Sequence, residues 1–350
     1  MSHLTYGEAG VVGLIQGITE LFPVSSLGHA ILIPAVVGGQ WAKDLSVSAS
    51  NSAYLAFIVG LHVATAIAMI IYFWRDWVRI IAAFFGSLKH VAAPEAGTRR
   101  WEAQNTDQKL AWMIIVGTIP VGIAGVLLQH VFTKVFSKPI LVAAFLFVNG
   151  LILLAGERQR RRLDTEAESR QVAADLEIAA SRERAGVAVG ARGPAGGGRH
   201  SAGQRGHKQQ QATAAVESDR RVVGQGYLGG LLMGSSQILA LLPGISRDGI
   251  VMISGMFRGL SRQDAARFSF LLSAPVILAA GVLKLHDLTG PLGHGIGKEV
   301  LLGSVLSFIG AYLALRFLMR YLEDATRTLI PFAVYCLAAG LGCFVYLAVK

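Results

Sequence analysis

This sequence carries little charge for its length. Only 15% of its 350 residues are Asp, Glu, Lys or Arg, against 53% hydrophobic, and the charges crowd into a few stretches. That excludes an ordinary water-soluble globule and indicates a polytopic membrane protein. Cysteine is almost absent: Cys336 and Cys343 lie seven residues apart in one expected helix, about 10 Å from each other, too far for a disulfide. They read as small lipid- or core-facing residues. A basic leader is missing as well. The first apolar stretch has no basic n-region and runs directly into polar residues, so no cleavable signal peptide is evident. The net charge of +10 does not form a nucleic-acid surface, because its arginines flank apolar spans, as in RDWVR at 75–79, RQRRR at 158–162, Arg316 and Arg320. Cytoplasmic loops of membrane proteins have this composition.

What is abundant is apolar length. Eight segments stand out, at 11–35, 54–74, 110–132, 139–155, 227–245, 266–285, 299–318 and 329–348, most of them near the ~20 residues that span hydrocarbon. Residues 157–226 differ sharply, being rich in Ala, Gly, Arg and Gln with almost no aromatics. They read as a disordered or partly helical cytoplasmic linker. Its early part, 163–184, is compatible with a charged helix, and the Gly/Gln-rich part is expected not to pack.

The linker separates halves that echo one another. GLIQGITELFPVSS at 13–26 and GSSQILALLPGISR at 234–247 share Gly-x-x-Gln, an apolar run and Pro-x-x-Ser, and three long apolar segments follow each copy. Internal duplication accounts for this better than chance recurrence of small residues. Two topologies compete: eight full spans, or six spans with re-entrant hairpins at 11–37 and 227–258. Only the second brings 75–109, 157–226, 259–267 and 316–327, which hold most of the Lys and Arg, to one side. The expected fold is therefore an all-α polytopic membrane protein of two inverted repeats, each a re-entrant helical hairpin plus three transmembrane helices, with both termini outside. The first repeat is 1–156, with spans 54–74, 110–132 and 139–155. The second is 227–350, with spans 266–285, 299–318 and 329–348. The hairpin tips, Pro23–Ser26 and Pro243–Asp248, would meet near the midplane and line a cavity, the setting in which irregular backbone is tolerated at membrane depth.

The tips carry chemistry. Glu20 at membrane depth costs about 2.5–3.5 kcal/mol even on lenient scales, which points to a function more than to an interfacial carboxylate reaching water. Gln16 lies one turn earlier on the same face. It either touches a cation and orients water or glues helices together. Ser25 and Ser26 follow Pro23, with His29 about one turn from Ser26, so a hydroxyl and an imidazole can act as nucleophile and base or activate water; serines after proline also cap helices. In PGISRDG, Gly244, Ser246, Arg247 and Asp248 sit in a loop able to turn backbone N–H groups toward an anion, and Arg247 is the natural phosphate clamp. Together these groups describe a site for a phosphorylated lipid. His62 either lines that cavity or packs against a backbone carbonyl.

These residues give the chain a resemblance to the BacA/UppP family of undecaprenyl-diphosphatases. That family is marked by (Glu/Gln)-x-x-x-Glu running into Pro-Val-Ser-Ser-x-Gly-His, and by a later Pro-Gly-x-Ser-Arg. Here these are QGITE (16–20) with PVSSLGH (23–29), and PGISR (243–247); FWRDW (73–77) and FSFLLSAPV (268–276) extend the similarity over both membrane halves. The resemblance implies a bacterial inner-membrane phosphatase that converts undecaprenyl diphosphate to undecaprenyl phosphate, recycling the carrier for peptidoglycan. It also implies bacitracin resistance, since bacitracin competes by binding the substrate, a divalent cation (Mg²⁺ or Ca²⁺), and a site open to the outer side. A homodimer is compatible with it. Matching positions imply Glu20, Ser26, His29 and Arg247 as catalytic, Arg247, Ser246, Gly244, Ser25 and Asp248 at the phosphates, and Glu20 with Gln16 at the metal. Ser26 would be the nucleophile or a donor to the phosphate while water attacks. Many relatives have Glu at Gln16, Ser at Asp248 and Thr at Val251, so Asp248 is expected to restore the carboxylate lost at Gln16. The rival reading is a polyprenyl-phosphate transporter without hydrolysis, against which the acid–base pair Glu20 and His29 argues.

Overall fold

The computed structural model describes residues 4–45, 53–92, 104–136, 138–184, 204–283 and 296–350, and the elements among them are all helical. Helix α1 (Tyr6–Leu21) begins in a capping box. Thr5 Oγ1 accepts from Glu8 N at 3.2 Å, and the Glu8 carboxylate accepts from Thr5 N at 2.9 Å. It stops at Phe22, whose extended backbone is what the following Pro23 demands. The chain turns and descends again as α2 (Ser26–Val37), then the short α3 (Gly39–Asp44). After these come α4 (Ala53–Tyr72), α5 (Trp74–Ala92), α6 (Thr106–Phe136), α7 (Pro139–Arg184) and α8 (Gln204–Val223). The second hairpin is α9 (Gly226–Ser235), a 3₁₀ turn (Ser236–Leu241) and α10 (Arg247–Phe257). The chain ends in α11 (Arg262–Leu283), α12 (Gly297–Glu323) and α13 (Ile330–Val349).

Among the described residues five helices are long and apolar enough to cross a bilayer, in α6, α7, α11, α12 and α13, or six if the bent pair α4–α5 counts as one. The bend between α4 and α5 is 85°. On α5 the exposed apolar residues Trp74, Val78, Ile81, Phe85 and Leu88 recur at helical spacing on one stripe. A helix with such a face lies in the bilayer interface rather than across it.

Helix α1 packs along α12 and α7 along α13. The first contact is close because it is made by small residues: a methyl group on Gly13 would fall 2.4 Å from the Gly303 carbonyl oxygen. Backbones approach this closely in membranes where side chains are smallest.

The linker corrects one expectation. Residues 185–203 lie outside the described residues, but the end of α8 belongs to the packed body, with Asp219, Val222 and Val223 buried. The reason is charge pairing across helices. Asp219 accepts from Arg267 Nε at 3.1 Å and from Arg79, Asp76 pairs with Arg267 at 2.9 Å, and Arg221 grips Asp264 bidentately at 2.7 and 2.9 Å. Before 185, α7 runs on from its apolar part into the charged stretch as one helix to Arg184.

Candidate active site

Both tips are shaped by a serine that caps the descending helix. Ser25 caps α2 and is the only non-glycine among the described residues with positive φ, at 68°. A conformation costing about 1–3 kcal/mol persists only when its surroundings hold it. Here the Ser25 hydroxyl accepts from Gly28 N at 3.3 Å and, across the site, from Gly244 N at 3.1 Å. Gly244 has φ 107°, and a methyl group there would fall 2.6 Å from the Val142 carbonyl oxygen, so only glycine fits. At the second tip Ser246 caps α10 by accepting from Gly249 N at 3.1 Å.

A third element ties the tips together. Asn149, buried on α7, donates from Nδ2 to the Pro23 carbonyl at 2.9 Å and accepts at Oδ1 from Ser246 N at 3.0 Å. Asn149→Leu keeps the branched shape of the side chain but leaves two buried backbone groups unpaired, at about 1–3 kcal/mol each. The variant is expected to unfold at clearly lower temperature in detergent; an unchanged melting temperature would mean that other contacts hold the tips.

Between the tips lies a cavity of about 380 Å³. One end is polar, lined by Glu20, Ser25, Ser26, His62, Gln237, Ser246 and Arg247, and the rest is apolar, with Leu27, Ile58, Val59, Val121, Leu241 and Ile277 among its walls. The N-termini of α2 and α10 both open on the polar end, which favours an anion there.

Glu20 is the hub. Its Oε1 accepts from Arg247 at 2.5 Å, while Oε2 accepts from Gln16 Nε2 at 2.9 Å and from the Ser26 hydroxyl. His62 Nε2 lies 3.3 Å from the same Oε2. The His62 Nδ1 sits 2.8 Å from the Ile58 carbonyl, which can only accept, so Nδ1 carries a proton and Nε2 faces the carboxylate. Arg247 Nε and Gln237 Oε1, both of residues lining the cavity, and Gln16 Oε1 beside it are buried without a hydrogen-bond partner. Buried polar atoms are rarely left so; a bound ligand would satisfy them. The site thus holds a carboxylate, a hydroxyl already hydrogen-bonded to it, an imidazole, an arginine and two helix N-termini, opening on an apolar sleeve.

Comparison with known proteins decides the family. A family model described as "Bacitracin resistance protein BacA" matches residues 9–181 and 206–342. The chain belongs to the BacA family. It is 52% identical over 349 residues to a protein named "Undecaprenyl-diphosphatase" from Mycolicibacterium paratuberculosis, covering 100% of this chain and 99% of the relative. It is 48% identical over 360 residues to "Undecaprenyl-diphosphatase 2" of Frankia alni, covering all of both chains, and 36% identical over 334 residues to "Undecaprenyl-diphosphatase 2" of Burkholderia orbicola, covering 95% and 93%.

Of the BacA-family motif residues, Glu20, Ser26, Arg247, Ser25 and Ser246 line one cavity, and Gln16 adjoins it through Glu20. Three other candidates are placed differently. Gly244 spends its N–H on Ser25, so it shapes the tip and has no amide left for phosphate. His29 does not line this cavity but a small recess that Ser26 and Gln16 also line, with Nδ1 2.7 Å from the Ser25 carbonyl and Nε2 2.7 Å from the Tyr335 hydroxyl; it braces the strained Ser25. Asp248 is turned onto α11, where Oδ1 accepts from Ser269 at 2.9 Å and Ser273 at 2.5 Å. One residue round the helix from Arg247, its side chain falls on the packed face of α10, so it does not replace a carboxylate beside Gln16. Two contributors escape the motif reading. Asn149 has as its signal a lone amide in the apolar run FLFVNGLILL, and Gln237 has its place opposite Gln16 in the repeated Gly-x-x-Gln.

No group of three or more His, Cys, Asp or Glu side chains able to hold a metal occurs among the described residues. The donors near Glu20 are one carboxylate and the unpartnered amide oxygen of Gln16. Such oxygens do not make a protein cage, but they suit a hard cation that completes its shell with phosphate oxygens and water.

Proposed function

We propose that this BacA-family chain is an undecaprenyl-diphosphatase, a membrane hydrolase that releases the terminal phosphate of undecaprenyl diphosphate. The observation that carries the reading is the Ser26 hydroxyl on the Glu20 carboxylate, with Arg247 on the carboxylate's other oxygen, at the polar end of an otherwise apolar cavity. The relatives' names agree with it over the whole chain.

The diphosphate enters between the N-termini of α2 and α10, where Arg247 takes it as a charged fork and positions it. Ser26 Oγ attacks the terminal phosphorus and its proton passes to Glu20, with His62 the neighbouring proton partner. Undecaprenyl phosphate departs and water then hydrolyses the phosphoserine. The isoprenoid lies along the apolar wall formed by Leu27, Ile58, Val59 and Ile277. Glu20 and Gln16, together with the diphosphate, would hold a divalent cation, Mg²⁺ or Ca²⁺, which when bound neutralises phosphate charge.

The same reading takes the two halves as inverted repeats, each a re-entrant hairpin with three spans, in a bacterial inner membrane with the cavity opening to the outer side. It makes the chain a recycler of the peptidoglycan lipid carrier, and bacitracin a competitor through the substrate. The test is inorganic phosphate release from undecaprenyl diphosphate by the purified protein in detergent. Release is expected, and EDTA is expected to lower it at least about tenfold, with recovery on adding Mg²⁺ or Ca²⁺. Folded protein that releases nothing with either cation would overturn the hydrolase reading.

A further inference from the structure

A second, open hollow shares no residue with the cavity between the tips and has no part in that chemistry. It lies at the C-terminal end of α12 and in the turn after it, is about 490 Å³ in volume, and is lined by Leu313, Arg316, Phe317, Arg320, Tyr321, Asp324 and Arg327. The first five recur at helical spacing and form one face. Leu313 and Phe317 are 59% and 54% exposed on a helix that is otherwise apolar enough to span. The arginines therefore sit where a membrane-spanning face meets the polar boundary.

The charges there are unbalanced, unlike those of the arginines that tie the helices of the body together. Arg79, Arg221, Arg262 and Arg267 are each held by Asp or Glu. Arg316 and Arg320 have no ion-pair partner among the described residues, and both are exposed. The one carboxylate in the lining, Asp324, is taken: it accepts from the Thr326 amide and hydroxyl at 2.9 and 2.7 Å and pairs with Arg327 at 3.4 Å. Arg327 in turn stacks over Tyr321, 5.5 Å from its ring centre, which fixes one wall of the cavity. The result is two unpaired guanidinium groups one turn apart, a braced aromatic wall, and an apolar track running toward the hydrocarbon.

We infer that this cavity binds the headgroup of an anionic phospholipid. Arg316 and Arg320 take the phosphodiester, and an acyl chain lies along Phe317 and Leu313. The guanidinium fork matches phosphate oxygens, and basic pockets at helix ends hold acidic headgroups in this way. A positive flank that served only topology would need neither the cavity nor the braced tyrosine.

The test is native mass spectrometry of the full chain released from detergent with phosphatidylglycerol or phosphatidylcholine added, comparing the wild type with Arg316→Gln/Arg320→Gln. Neither residue belongs to the diphosphate site, so phosphate release in detergent serves as the control for folding and is expected to be unchanged. The wild type should retain phosphatidylglycerol, the double variant should bind it about thirtyfold more weakly, and phosphatidylcholine should bind both alike. Equal phosphatidylglycerol retention by the two proteins would overturn the inference, as would a loss of phosphatidylcholine binding by the double variant as large as its loss of phosphatidylglycerol binding. Displacement by millimolar inorganic phosphate would show a simple anion site and overturn the lipid as occupant. Weakened binding of undecaprenyl phosphate, with phosphatidylglycerol binding intact, would also overturn it.

Discussion

Arg247→Ala is expected to lower kcat/KM for undecaprenyl diphosphate by about 10³-fold or more, the scale on which an arginine stabilises phosphoryl transfer. Among the described residues that line the cavity Arg247 is the only Arg or Lys, and its Nε is buried without a partner, so in the resting site the fork is only half used. In the proposed mechanism substrate phosphate supplies the missing acceptor. Loss of the fork therefore removes binding and transition-state stabilisation together, and both KM and kcat should change. Arg247→Lys keeps the charge without the fork and should recover part of the activity. A variant that folded normally and kept wild-type kcat/KM would remove the phosphate clamp from the account.

Glu20→Gln is expected to cost about 10²–10⁴-fold, the range for loss of a general base, and to do so in kcat. The substitution is nearly isosteric, and an amide oxygen can still accept from Ser26. What it removes is the negative charge that, in the proposed mechanism, takes the Ser26 proton. Arg247 loses its ion-pair partner but faces the cavity, where water and phosphate can reach it, so stability should change little. Steady-state phosphate release with purified variant separates the two parameters. A raised KM with kcat unchanged would make Glu20 a binding group and transfer the proton role elsewhere.

The parts of this protein that could be read in the sequence are those written in local patterns. The apolar runs place the spans in α6, α7, α11, α12 and α13 because hydrocarbon thickness dictates their length. Pro23 and Pro243 place the tips because proline ends helices. Glu20, Ser26 and Arg247 were visible as costly or phosphate-matched residues in those turns, and the structure brings them together. What escaped depends on direction around a helix or on partners far along the chain. Asp248 and Arg247 are adjacent in sequence, yet one faces α11 and the other the cavity. His29 carries the motif's imidazole, but Tyr335, some 300 residues on, and the Ser25 carbonyl occupy both its nitrogens. His62, left open between two roles by its own sequence context, has one nitrogen on the Ile58 carbonyl and the other beside Glu20. The end of the linker looked solvated because Asp219 and Arg221 are polar. Arg79 and Arg267, which hold the buried Asp219, and Asp264, which holds Arg221, are more than forty residues away.

The central claim is that the two hairpin tips, far apart in the sequence, form one catalytic unit. A double-mutant cycle on kcat/KM with Glu20→Ala, Arg247→Ala and the double variant tests it most directly. Residues that act as a unit are strongly non-additive, so the double variant should fall within about tenfold of the weaker single variant. A loss equal to the product of the two single losses would show that the tips act independently, and would contradict the account.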